Sequence, residues 1–280
     1  MAASDAPSAV APSRPVLDLS GPRLTRGLET LIAASEEHGG VETYIGGLRF
    51  KADLFRKAFG PEGIGTLDED TFVGLCAFMA PVRRRIGGWL ATGDFDALLG
   101  HLADLLADGD VDERMATFRA HFPGDRRHRW VRDLAAEVLH FSDPERYPLM
   151  ARWVWDETAN SGALREIWFA DNIDAVTLQV PDGYETFLVL REELSQFLTD
   201  NGIFRDTLYY ADLLMAQVYG DYIAEQGGSF LRTDFSSELD PMEFTRRMLG
   251  LDGVDPETGR TRVRLADGSR LTVADLDKVH

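Results

Sequence analysis

From Leu24 onward the apolar residues recur at the three-to-four-residue spacing of a helix face, and Gly and Pro break the pattern into short segments. Leu24, Leu28, Leu31 and Ile32 share one face of a first segment that Gly39-Gly40 ends. A second helix is predicted over 41–59, although Gly46-Gly47 costs its middle about 1 kcal/mol per Gly. Thr66-Leu-Asp-Glu69 has capping-box spacing and opens a segment that runs to Met79 before Pro81. Ser142-Asp-Pro-Glu145 and Asp240-Pro-Met-Glu243 repeat that logic, and Gly250 stops the helix after the latter. Two long helices, about 184–198 and 203–225, are separated by Asn201-Gly202.

Two stretches read as extended. Val176, Leu178 and Val180 alternate with polar residues, and residues 166–169 lie across Asp171-Asn172 from them. Near the C-terminus, residues 261–265 and 270–273 flank Ala266-Asp-Gly268. The expected fold is therefore mainly α: a multi-helix globular body with two small β-hairpins, about 164–180 and 261–273. Residues 1–22, rich in Ala, Ser and Pro, read as a flexible tail. Residues 23–250 form the helical domain, and 251–280 a turn-rich linker with the C-terminal hairpin.

The charge narrows the partners. The 280 residues carry 29 basic and 47 acidic side chains, a formal charge of −18. Nucleic-acid binding rests on basic groups that displace counterions from phosphates, so it is not expected here. The first twenty residues lack the charged-then-apolar order of a signal peptide. The least polar stretch, 71–82, is too short to span a bilayer. A cytoplasmic chain with no membrane insertion is the expectation. Only three of the basic residues are lysine (Lys51, Lys57, Lys278) and 26 are arginine. That bias fits a GC-rich bacterial genome, and the planar guanidinium fork suits carboxylate or phosphate partners.

The sharpest local feature is an arginine cluster. Arg119, Arg126, Arg127, Arg129 and Arg132 are interleaved with His121 and His128, and only Asp125 opposes them. Pro123-Gly124-Asp125 marks a helix start, where the dipole disfavours cations. Arginines crowded there, beside free backbone N–H groups, would build an anion site. Arg83-Arg84-Arg85 forms a second group. The competing reading is plain salt bridging, since 94–113 holds seven acidic residues and no Lys or Arg.

Other chemistry has little support. His121, His128 and His140 lack strong zinc-motif spacing, so no metal site is expected, and His140 reads as a hydrogen-bonded core or boundary histidine. There is no Gly-x-Ser-x-Gly elbow and no Walker A loop, because Gly60-Pro-Glu-Gly-Ile-Gly65 is not followed by Lys-Ser/Thr. Cys76, the single cysteine, sits in an apolar helical setting and reads as core. Asp133, Glu137, Asp156 and Glu157 are acid–base candidates, none distinguished among so many carboxylates. The sequence specifies no catalytic residue and no cofactor.

One internal echo stands out: Arg129-Trp-Val-Arg-Asp133 recurs as Arg152-Trp-Val-Trp-Asp156. Both copies read as helices with an Arg–Asp pair at i, i+4. Trp153 is assigned to the core and Trp155 to a partner-facing or pocket-lining position.

The stretch from Arg129-Trp-Val-Arg-Asp through Asp143-Pro-Glu-Arg-Tyr-Pro-Leu-Met to Asp156 resembles uncharacterised proteobacterial proteins associated with sulfur-oxidation gene clusters that encode heterodisulfide-reductase-like complexes. The resemblance covers about a third of the chain and transfers no functional residue. It implies an accessory role beside a redox complex. The leading expectation is a non-catalytic interaction protein that docks a protein partner through Arg126, Arg127, Arg129, Arg132, His128, Trp155, Arg83 and Arg84. The alternative is an enzyme or sensor that binds a small anionic ligand at the same arginines, linked to sulfur redox metabolism.

Overall fold

Helical spacing becomes helix along most of the chain. The computed structural model describes residues 14–231 and 240–278. Its first helices are α1 (Gly21–Ser35), α2 (Val41–Phe59), α3 (Glu69–Cys76), α4 (Ala80–Arg83) and α5 (Ile86–Leu90). Then come α6 (Phe95–Leu106), α7 (Val111–Ala120), α8 (Trp130–Ser142) and α9 (Ala163–Glu166). The last are α10 (Tyr184–Asp200), α11 (Thr207–Leu231), α12 (Glu243–Met248) and α13 (Val273–Leu276).

Aspartates start several of them. Asp68, Asp94 and Asp110 accept the backbone N–H of Thr71, Ala97 and Glu113, which caps α3, α6 and α7. The cap of α3 is thus Asp68, two residues beyond the expected Thr66. Ser142-Asp-Pro-Glu145 opens no helix: Asp143 accepts the N–H of Arg146 in a turn. Residues 148–162 then run irregularly, so the second copy of the echo is not helical.

Two helices organise the body. Every residue of α8 from Trp130 to Phe141 is buried, and α2, α4, α6 and α7 pack around it. The long α11 gathers α1, α9, α10 and α12, and meets the first group through α2. A helix buried on all sides is ordinarily apolar all round, yet α8 carries Arg132, Asp133, Glu137 and His140, all buried.

Neither expected hairpin forms, and among the described residues there is no strand, only isolated bridges. In the first, residues 163–166 are α9 and 173–175 a 3-10 turn. The extended run after it finds side chains in place of a partner strand. Leu178 N–H donates to Asn160 Oδ1 at 3.0 Å, and Trp155 Nε1 donates to the carbonyl of Val180 at 2.9 Å. In the second, the chain doubles back at Gly268, but the pairing is a bridge between Arg260 and Thr272. Thr272 then forms a capping box with Asp275 and starts α13, so a helix replaces the strand.

The first described residues are held against the body. Of the expected tail, residues 1–13 lie outside the described residues. From Arg14 the chain is in place: Leu17 is buried, and Ser20 N–H donates to the carbonyl of Ile167 at 2.8 Å. Gly250, at φ 72°, ends α12 where a Cβ would lie 1.7 Å from the carbonyl oxygen of Phe78, so only glycine fits. Among the described residues no helix is long and apolar enough to cross a membrane.

Candidate functional site

The turn before α8 begins the candidate site. Asp125 accepts the N–H groups of Arg127 and His128 at 2.7 and 3.2 Å, and its carboxylate also meets His128 Nδ1 at 2.9 Å. These contacts, the imidazole first, hold the Asp125 carboxyl below the usual carboxylate range. Backbone N–H groups expected to be free for an anion are thus taken by Asp125. The arginines themselves remain, and their side chains shape the surface.

Arg119, Arg126, Arg129, Arg132 and Arg152 line one open depression of about 880 Å³, together with His128. Phe122, Pro123, Val131 and Ala159 give it an apolar part, and Asp125, Asp156 and Thr158 complete the polar wall. Three of the arginines are anchored on carboxylates. Arg129 bonds Asp156 at 3.1 Å. Arg132 pairs with Asp182 and donates to the carbonyl of Trp155 at 3.2 Å. Arg152 grips Asp133 with two donors, at 3.0 and 2.7 Å. The guanidinium groups of Arg119 and Arg126 meet no acceptor among the described residues.

The other expected site residues are placed elsewhere. Arg127 is exposed beside the depression without lining it. Arg83 is committed to Asp252 through two bonds of 2.7 Å, and Arg84 is exposed. Neither lines the depression, so the two arginine groups do not form one site. Trp155 is fully buried with its indole N–H satisfied, which removes it from any partner-facing surface; Trp153 is only partly buried. The acidic stretch 94–113 does not neutralise the arginine cluster either. Asp94 and Asp110 cap helices, Asp112 accepts the N–H of Tyr184, and Asp108 pairs with Arg146.

A second polar group lies in the core. Lys51 Nζ bonds Glu137 at 2.5 Å and the carbonyl of Leu249 at 2.9 Å, and sits 3.8 Å from the ring centre of Phe141. Burial pushes the Lys51 ammonium down and the Glu137 carboxyl up. His140 lies between the carbonyl of Tyr147, 2.8 Å from Nδ1, and Asp212, 3.0 Å from Nε2. A carbonyl only accepts, so Nδ1 donates there, and Nε2 is left facing the Asp212 carboxylate. Glu137 and His140 have the Glu-x-x-His spacing that di-iron bundles use twice. Here each faces an internal partner, and among the described residues no three His, Cys, Asp or Glu are placed to hold a metal ion.

No family model, curated protein or solved structure matches this chain. The functional reading therefore rests on the geometry of the depression.

Proposed function

We propose that this chain binds a small organic anion in the arginine-lined depression, as a sensor, carrier or enzyme of that ligand. The observation that supports the reading is the pair Arg119 and Arg126, two guanidiniums that meet no acceptor among the described residues, on a concave wall that also offers Phe122 and Val131. Guanidinium forks suit carboxylate, phosphate or sulfonate heads, and the apolar part suits an organic body. The volume is in the range of ligand sites, roughly 300–1,000 Å³. Docking of a protein partner is less well served, because interface hot spots favour Trp, Tyr and Arg together, and Trp155 is withdrawn into the core. The resemblance to proteins of sulfur-oxidation gene clusters connects the proposal to sulfur redox metabolism, and makes sulfur-containing organic acids the first compounds to try.

The test is native mass spectrometry of the protein purified gently from its own host, followed by thermal melting with the identified compound. A discrete added mass of low molecular weight is expected. A ligand at a hundred times its Kd stabilises the native state by about 2.7 kcal/mol. That rise in Tm should vanish in Arg119→Glu/Arg126→Glu. A ligand that the double variant keeps would sink the proposal, and a co-purifying acidic subunit without a small ligand would favour protein docking instead.

A further inference from the structure

The C-terminal segment carries another group of arginines, separate from the depression. Between Thr258 and Arg270 stand Arg260, Arg262, Arg264 and Arg270, against the single acid Asp267. Glycines in the left-handed region, Gly259 at φ 64° and Gly268 at φ 83°, fold this stretch back on itself. Arg260, Arg264 and Arg270 thereby line one depression of about 290 Å³, with the side chains of Thr258, Ser269 and Asp255.

The nearby carboxylates are already occupied. Asp255 accepts the N–H groups of Glu257 and Thr258, each at 3.0 Å, and Asp267 accepts that of Ser269 at 2.8 Å. Asp252 is held by Arg83, leaving Arg262 3.9 Å away. The guanidiniums of Arg260 and Arg270 meet no acceptor among the described residues, and Arg264 reaches only the carbonyl of Gly268 at 3.3 Å. Three guanidiniums thus share a small concave surface with the one carboxylate of Asp255, on a chain of net −18.

The support beneath them is firm. Leu271 and Leu276 pack so closely on α3 that a Cβ at Gly74 would stand 2.9 and 2.7 Å from them. Lys57 pairs with Asp277 at 2.5 Å. The arginines therefore project from an anchored loop, which limits the ordering that binding requires.

We propose that this depression binds a phosphate group. Every residue lining it is polar or glycine, so an organic body gains nothing from its wall, in contrast to the larger depression with Phe122 and Val131. One carboxylate satisfies one guanidinium fork and leaves two unanswered. A doubly charged tetrahedral oxyanion presents acceptors to several forks at once, while the Thr258 and Ser269 hydroxyls are engaged by Asp255 and Asp267. The site is independent of the organic-anion site proposed above.

Equilibrium dialysis of the full chain with radiolabelled inorganic phosphate, at low ionic strength and in an Arg119→Gln/Arg126→Gln background, tests it without a contribution from the first depression. Saturable binding of one equivalent is expected. Arg260→Gln/Arg270→Gln should weaken it roughly tenfold or more, the loss expected of charged hydrogen bonds. Arg264→Gln alone should weaken it less, with melting temperature unchanged in both variants. Competition by O-phosphoserine distinguishes the sources: displacement points to the phosphate of a larger molecule, and failure to displace points to the free ion. Absence of saturable binding, or binding that survives Arg260→Gln/Arg270→Gln intact, overturns the proposal.

Discussion

Arg152 holds Asp133, 19 residues before it, through two guanidinium donors at 3.0 and 2.7 Å, while its own backbone N–H donates to the other carboxylate oxygen at 3.1 Å. The echo supplies the mirror contact, because Arg129 of the first copy bonds Asp156 of the second. Each copy thus lends its Arg to the other's Asp, across chain and not along a helix. These crosswise pairs fasten the irregular stretch 148–162 to the start of α8 and fix one wall of the larger depression.

Asp133 is buried and Arg152 about three-quarters so. Removing Arg152 leaves a desolvated carboxylate without its cation, which typically costs about 3–5 kcal/mol. Arg152→Ala is expected to lower the urea midpoint by a corresponding amount at unchanged m. Arg152→Met/Asp133→Leu should recover part of the loss, since an apolar pair leaves no buried charge. A fully additive double-variant loss would count against a pairwise contact.

Gly162 lies at the end of the same stretch, at φ 133°, where a Cβ would stand 2.6 Å from the carbonyl oxygen of Val154. The obstacle is backbone, so it does not yield as a flexible side chain would. Gly162→Ala should destabilise by more than ~1 kcal/mol, with the Tm lower by at least ~2 °C. A variant that melts with the wild type would show that the turn relaxes.

Much of the helical framework was legible because it is local. The spacing of Leu24, Leu28 and Leu31, and of the apolar residues in α2 and α10, reports the buried face directly. Gly39 and Gly250 mark stops that their positive φ angles confirm. The missing hairpin near 176–180 shows the limit. Alternation records burial on alternate sides, but the bonds that satisfy this run come from Asn160 and Trp155, which no local pattern discloses. The arginine site was half legible. Arg126, His128, Arg129 and Arg132 all fall within residues 126–132, whereas Arg152 joins them only through the crosswise pairs, for which the echo was the signal. Arg83 resembled them in composition and differed in having Asp252 opposite, a relation 169 residues long. The core pairs of α8 leave only the Glu-x-x-His spacing of Glu137 and His140 in the sequence, which discloses neither Lys51 nor Asp212 as their partners.

Cys76 is fully buried in α3, and burial, reinforced by Glu137, raises its thiol well above the ordinary range. A thiol that is neither accessible nor ionised does not attack disulfides. Titration of the native protein with a chromogenic disulfide at pH 8 should therefore release almost nothing, and one equivalent after addition of urea. Rapid release from the folded protein would contradict the burial.

Glu137 makes a pH dependence opposite in sign to that of the exposed carboxylates. Its native pKa is raised above the ordinary 4.5, chiefly by burial and against the pull of Lys51. The native state then binds more protons than the unfolded state just above pH 4.5, so this group's contribution falls as pH rises through the raised value. Asp125, Asp255 and Asp275 are lowered by their hydrogen bonds and act the other way, losing their contribution as pH falls below their usual 3.8. Subtracting a Glu137→Gln variant cancels these shared groups. The stability of the wild type relative to Glu137→Gln, from urea titrations between pH 4.5 and 7, should decline with rising pH. A difference that rises with pH would mean that Lys51 attracts the carboxylate more strongly than burial repels it.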